Sequence, residues 1–296
     1  MSHNSGELIY NVVKKEKEDM EARGISVVAI VADNASGIQN AIARIESEDP
    51  SCVAIRCAAH SFQLLLHDLE STPLVRAAMA TTESVITYCS QREVEEKLKD
   101  LQKAAGKSEG KLPLKPVETR WSTKIYAMEV LLELRSYINL AMEEHPGEAD
   151  WSPLAKAVDR LRPLASATEE IEMDNATLST VLKHVELVKA HWSHQSDLTT
   201  FHGPALSALA VRCEKHFGSP IHLYAKALHP DSDLIKWSSV ERNKLSTALV
   251  SYFMPVLKKL GCASEILPTL RAQFGQWVAR RIAFSMFFVI YSTPLY

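Results

Sequence analysis

An aspartate and an asparagine, Asp33 and Asn34 in the stretch VADNASG, follow directly on an apolar, β-branched run at 25–31. A carboxylate at the carboxyl end of a buried strand stands on the sheet edge where open α/β sheets bind ligands, and there it can hold a divalent metal. The same pair can instead cap the helix that follows. Cys57 and His60 close a second short apolar run at 52–57. A Cys-x2-His pair is half of a zinc site, yet no second Cys/His pair follows at finger-like spacing. The spacing therefore argues against structural zinc, and a buried cysteine beside a hydrogen-bonded histidine stands as the alternative to a ligand role. Thr119, Arg120 and Trp121 come after a lysine-bearing loop. There the guanidinium can take a phosphate and the indole can stack a base, although Trp121 can equally be the first core residue of its helix.

The elements around these residues follow from periodicity. The run at 25–31 is too short and too β-branched for a helix and fits a strand covered on both faces. Before it, Leu8, Val12, Val13 and Met20 recur roughly at helical spacing, with Gly24 placed to end that helix. After it, Asn34 or Ser36 caps a helix with the apolar face Ile38, Ala41, Ile42 and Ile45, ending near Pro50. The strand at 52–57 then completes a β-α-β unit whose crossover is expected to be right-handed. Its parallel strands bring Cys57 and His60 to the same sheet edge as Asp33. Helical spacing resumes with Phe62, Leu65, Leu66 and Leu69, and beyond residue 70 the pattern is helical throughout. Trp121, Ile125, Met128, Leu131, Leu132, Leu134, Ile138 and Ala141 form one broad stripe; Leu178, Val181, Leu182, Val185 and Val188 form another. Pro163 is expected to kink or end the helix carrying Leu154, Val158 and Leu161. The stretch at 104–118 is rich in Gly, Pro and Lys and reads as a surface loop.

Composition excludes several classes. A chain of 296 residues with 46% hydrophobic content buries a substantial core, and its length suggests roughly two domains. Cysteines at 52, 57, 89, 213 and 262 lack the close spacing of a disulfide framework and read as reduced thiols, which favours nucleus or cytosol. A net charge of -3 argues against a uniformly basic nucleic-acid binder but leaves room for a local basic surface. No stretch reaches the ~18 uninterrupted apolar residues of a membrane helix, and none near the start has signal-peptide character, so no membrane partner is expected. AFSMFFVIY at 283–291, the most hydrophobic stretch, reads as a final core element or as an aberrant end.

Together, ADNAS after the first strand, CAAH after the second and ETRW at 118–121 resemble the hAT superfamily of DNA transposases. LYAKALHPDSD at 223–233 is similar to a family segment in which His229-Pro230-Asp231 takes the place of an Asp-Pro-Arg turn. The resemblance implies an RNase H-like catalytic domain interrupted by a large all-α insertion. Residues 1–72 would be the partial RNase H-like β-α-β start, 73–260 the insertion, and 261–296 a truncated or aberrant tail, in a predominantly helical chain. In the family, Asp, Asp and Glu hold two Mg²⁺ or Mn²⁺ ions that drive phosphodiester cleavage. Asp33 matches the second Asp, Cys57 and His60 the Cys and His beside the centre, and Arg120 and Trp121 the pair that contacts DNA and stabilises a flipped base. The first Asp, the Glu and the amino-terminal zinc finger have no counterpart, so the chain reads as truncated at both ends. One Asp does not fix two cations about 4 Å apart. The expectation is a nuclear or cytoplasmic transposase-derived protein that contacts DNA through Arg120, Trp121 and the nearby lysines 107, 111 and 115 without cutting it, with Mg²⁺ or Mn²⁺ the cofactor only where activity survives and none otherwise. Missing strands would leave an unpaired sheet edge through which a homo-oligomer or a partner chain pairs. Two other readings stand beside this one: an active metal-dependent transposase or nuclease completed by a partner chain, and a helical protein-interaction module.

Overall fold

The computed structural model describes residues 4–107, 110–117, 121–142, 150–193, 201–229, 238, 240, 245, 254–259 and 269. In chain order the elements are α1 (Asn4–Ala22), β1 (Ala29–Ala32), α2 (Ser36–Glu48), β2 (Val53–Arg56), α3 (Ala58–Leu69), α4 (Pro73–Cys89), α5 (Arg92–Ala104), α6 (Trp121–Met142), α7 (Ser152–Ile171), α8 (Leu178–Ser193), α9 (Gly203–Arg212), a π-helical turn (Cys213–Phe217), α10 (Pro220–Leu228) and α11 (Met254–Lys259). The chain is predominantly helical, with one two-stranded parallel sheet among the described residues. None of the described helices is long and apolar enough to cross a membrane. The apolar stretch at 283–291 lies outside the described residues. Two compact units divide the chain. One comprises Met1–Cys57, Thr177–Ser179 and Lys215–Tyr296, the other Ala58–Ala176 and Thr180–Glu214.

In the first unit the β-α-β arrangement forms as the apolar pattern requires, with Ala29 opposite Val53 and Ala32 opposite Arg56 in parallel register. Gly24, at φ 83°, ends α1: its N–H returns to Glu21 and that of Ile25 to Met20 (3.0 and 3.1 Å), a helix stop that favours glycine. Tyr10, Ala41, Ile45 and Cys52 form the core, with Ile9, Val13, Val27 and Ile30 packed against it. The first strand corrects the expectation of a seven-residue element buried on both faces. It is confined to Ala29–Ala32, while Ile25 is 55% and Val31 63% exposed. Residues alternate across a strand, so once Ile30 faces the α1–α2 core, Val31 must face away from it.

Charged groups frame this unit at two places. The Tyr10 hydroxyl donates to Glu48 (2.7 and 2.8 Å) and Lys14 Nζ reaches the same carboxylate (2.9 Å); these donors hold the Glu48 carboxyl down at about 2. At the end of α2, Asp49 accepts from Lys17 (2.8 Å) and from Lys259 of α11 (2.9 Å), while Lys259 also pairs with Glu21 and donates to the Val27 carbonyl (3.1 Å). Burial opposes ionisation of Asp49, yet the two ammonium groups and Ser51 hold its carboxyl well below the usual range.

His222 of α10 is 1% exposed, packs edge-on against Phe217 with ring centroids 6.3 Å apart, and its ring nitrogens make no hydrogen bond of normal geometry among the described residues. Burial, opposed in part by the Ser219 backbone, lowers its pKa below 6.5. The unfolded chain therefore takes up this proton first as pH falls, so the group's effect is absent above about pH 6.5 and destabilising below it. Thermal melts of the wild type are expected to lose stability from about pH 6.5 downward, and His222→Leu to flatten that limb. An unchanged limb in the variant would assign the acid sensitivity elsewhere.

The second unit is a helical bundle in which α7 packs against α3, α4 and α6. The predicted stripes are its core: Phe62, Leu65, Leu66 and Leu69 of α3 and Ile125, Met128, Leu131, Leu134 and Ile138 of α6 are buried. Leu132 stands at the stripe's edge and is only half-buried. Pro163 does not end its helix, as α7 runs on to Ile171. A proline lacks the N–H that would bond the carbonyl four residues back, here Asp159. That carbonyl accepts instead from His191 Nε2 (3.0 Å), and the next one, Arg160, from the Trp192 indole (2.8 Å). Donors from α8 thus satisfy the carbonyls beside the proline and let the helix continue.

Candidate functional site

The turn between β1 and α2 is built by the residues that a metal-site reading singles out. Asp33 Oδ1 accepts the Ala35 N–H (2.9 Å), closing an Asx turn that carries the chain from strand to helix. Neither Asn34 nor Ser36 is the helix cap. Ala35 occupies that position and, with only a methyl side chain, makes no cap bond, while its own amide is held by the Asp33 carboxylate. Asn34 turns the other way, its Nδ2 donating to the Cys57 carbonyl (3.2 Å), and the Cys57 N–H donates to the Ala32 carbonyl (2.8 Å). The ends of both strands are therefore tied together, which brings Asp33, Asn34 and Cys57 to one sheet edge. Gln39, in the first turns of α2 and buried, clasps the same corner from beneath, with Nε2 donating to the carbonyls of Asp33 (2.6 Å) and Ala32 (3.3 Å). The sequence reading missed Gln39. An amide six residues after the strand-end aspartate, on the helix face that carries Ile42, was the available signal.

His60 belongs to α3 in the second unit, the division lying between Cys57 and Ala58. Trp121 opens α6, as the Thr-Arg-Trp reading expected of the helix start, while Arg120 lies outside the described residues. Among the described residues no three His, Cys, Asp or Glu side chains converge as a metal site. Burial raises the thiol pKa of Cys52, of Cys213 and of Cys89, the last to about 11, so these three are poor nucleophiles near neutral pH.

No protein-family model matches the chain. No curated protein matches it either. The functional reading therefore rests on the motifs and on this geometry.

Proposed function

We propose that the chain derives from a hAT superfamily DNA transposase, retains a fragment of the RNase H-like sheet and the helical insertion, and contacts DNA through Arg120 and Trp121 without cleaving it. The observation that carries the reading is the parallel pair β1–β2 with its single crossover helix, because it gathers the residues of ADNAS and Cys57 of CAAH at one strand-end corner. In this reading Asp33 has kept its place and changed its work: its carboxylate closes a turn instead of gripping a cation.

The test combines stability with DNA chemistry. Asp33→Ala removes the acceptor for Ala35 and is expected to cost about 0.5–1.5 kcal/mol in urea unfolding, whereas Asp33→Asn, which keeps an Oδ1 acceptor, stays near wild type. Millimolar Mg²⁺ or Mn²⁺ should leave the melting temperature unchanged. Hairpin DNA should bind with salt-dependent affinity, weakened by the double change Arg120→Ala and Trp121→Ala, and remain uncut. Mg²⁺-dependent cutting that disappears in Asp33→Asn overturns the inactive reading and favours an active nuclease. Equal binding by the double variant removes the DNA role of those two residues.

A further inference from the structure

The lysine-rich stretch expected as a plain surface loop is a strap fastened along α6. At one end Gln102 of α5, fully buried, holds the backbone of Lys111 with both halves of its amide: Nε2 donates to the Lys111 carbonyl (2.8 Å) and Oε1 accepts the Lys111 N–H (3.0 Å). At the other, the Thr123 hydroxyl accepts from the Val117 N–H (3.0 Å) and donates to the Val117 carbonyl (3.1 Å). Just before the first fastening Gly110 lies against α5, where an added Cβ would stand 3.1 Å from Lys99 Cγ and 3.4 Å from its Cα. The fastening sets a register of ammonium groups against rings. Lys107 Nζ is 5.2 Å from the Tyr137 ring centre, and Lys111 Nζ is 5.9 Å from that of Tyr126 and 2.5 Å from Glu133. The strap therefore runs antiparallel to α6, from Tyr137 back toward Thr123.

Tyr126 and Tyr137 are eleven positions apart, about three helical turns, so they share one face of α6 roughly 16 Å apart along its axis. Tyr126 is 55% exposed, and Leu114 and Val117 of the strap stand out at 67% and 54%. Lys107 and Lys115 make no ion pair with a described residue, while of the two carboxylates near Lys111, Glu133 is engaged by Lys111 itself and Glu129 by Arg162. The surface thus offers exposed ring area with ammonium groups beside it on a rigid support. Stacking platforms interleaved with cations are the chemistry that single-stranded nucleic acids require: bases take the rings, phosphates take the ammonium groups.

We propose that this strap and the Tyr126–Tyr137 face of α6 bind single-stranded nucleic acid. The inference rests on the DNA reading above for its class of polymer, but its residues are distinct from Arg120 and Trp121. An acidic peptide would satisfy the lysines alone and leave the ring faces unused.

Fluorescence anisotropy of the full chain with labelled poly-dT, hairpin DNA and poly-glutamate distinguishes these cases. Tyr126→Ala is expected to weaken poly-dT binding about tenfold with the salt slope unchanged, and Tyr126→Phe to retain it. Lys107→Ala should lower the salt slope by about 0.7 without touching the fold, which melting temperature checks independently. Poly-dT binding indifferent to Tyr126 and Lys107 overturns the inference, as does stronger capture of poly-glutamate. Hairpin binding that depends on Arg120 and Trp121 but not on Tyr126 leaves the earlier reading intact and sinks this one. Poly-dT binding that needs Tyr126 but not Arg120 and Trp121 does the reverse, and no binding by the wild type sinks both.

Discussion

Trp192→Ala is expected to be the most damaging single change in the second unit, costing about 3–5 kcal/mol. The indole is 0% exposed, meets Phe201 edge-on with ring centroids 5.8 Å apart, and donates Nε1–H to the Arg160 carbonyl at 2.8 Å. Truncation removes the largest buried volume of α8, breaks the aromatic pair and takes the indole donor from the Arg160 carbonyl, next to the Asp159 carbonyl that Pro163 deprives of its helical N–H. Trp192→Phe separates these effects, because it fills most of the space and loses only the hydrogen bond; a cost of about 1–2 kcal/mol is expected. Two compact units need not unfold together, so hydrogen exchange at α7 and α8 amides is the sharper measurement. Wild-type protection in Trp192→Ala would show that the Trp192 indole is not what holds α7 across its proline.

In the first unit the largest effect is expected at Lys259. One ammonium group joins α11 to three places distant in sequence: the Glu21 and Asp49 carboxylates and the Val27 carbonyl. Its side chain is 20% exposed and those of its acidic partners about as sheltered, at 28% and 30%, so water replaces these bonds poorly. Lys259→Ala leaves Lys17 alone against two carboxylates and is expected to cost about 1–3 kcal/mol at neutral pH. The pH dependence follows from the sign of the shifts. The hydrogen bond from Lys259 helps to hold Glu21 below its usual range, and Asp49 is held lower still against its burial. Carboxylates depressed in the folded state contribute stability above about pH 4 and lose it as pH falls through their folded values. The gap between wild type and Lys259→Ala should therefore be full near pH 7 and narrow below about pH 4 as the acids protonate. A gap of constant size across that range would mean that the lysine acts through packing of its stem.

The parts of this protein legible in its sequence are those set by local spacing. Apolar residues at helical intervals put Phe62, Leu65, Leu66 and Leu69 in the core whatever packs on them, and Gly24 stops α1 because its own backbone accepts a positive φ. A parallel β-α-β unit follows from two short apolar runs separated by one helix, and with it the meeting of Asp33 and Cys57 at one edge. Tertiary structure decided the rest, because it depends on which distant groups arrive with a donor, an acceptor or a covering surface. The α1–α2 core took one face of β1 and left Val31 exposed. The turn, and Gln39 beneath it, decided what the Asp33 carboxylate does. Two donors from α8 let α7 pass through Pro163, and one buried amide, Gln102, made a strap of what composition describes only as a loop. Periodicity records which side of an element is apolar; it carries no record of the partner that will complete a hydrogen bond from a hundred residues away.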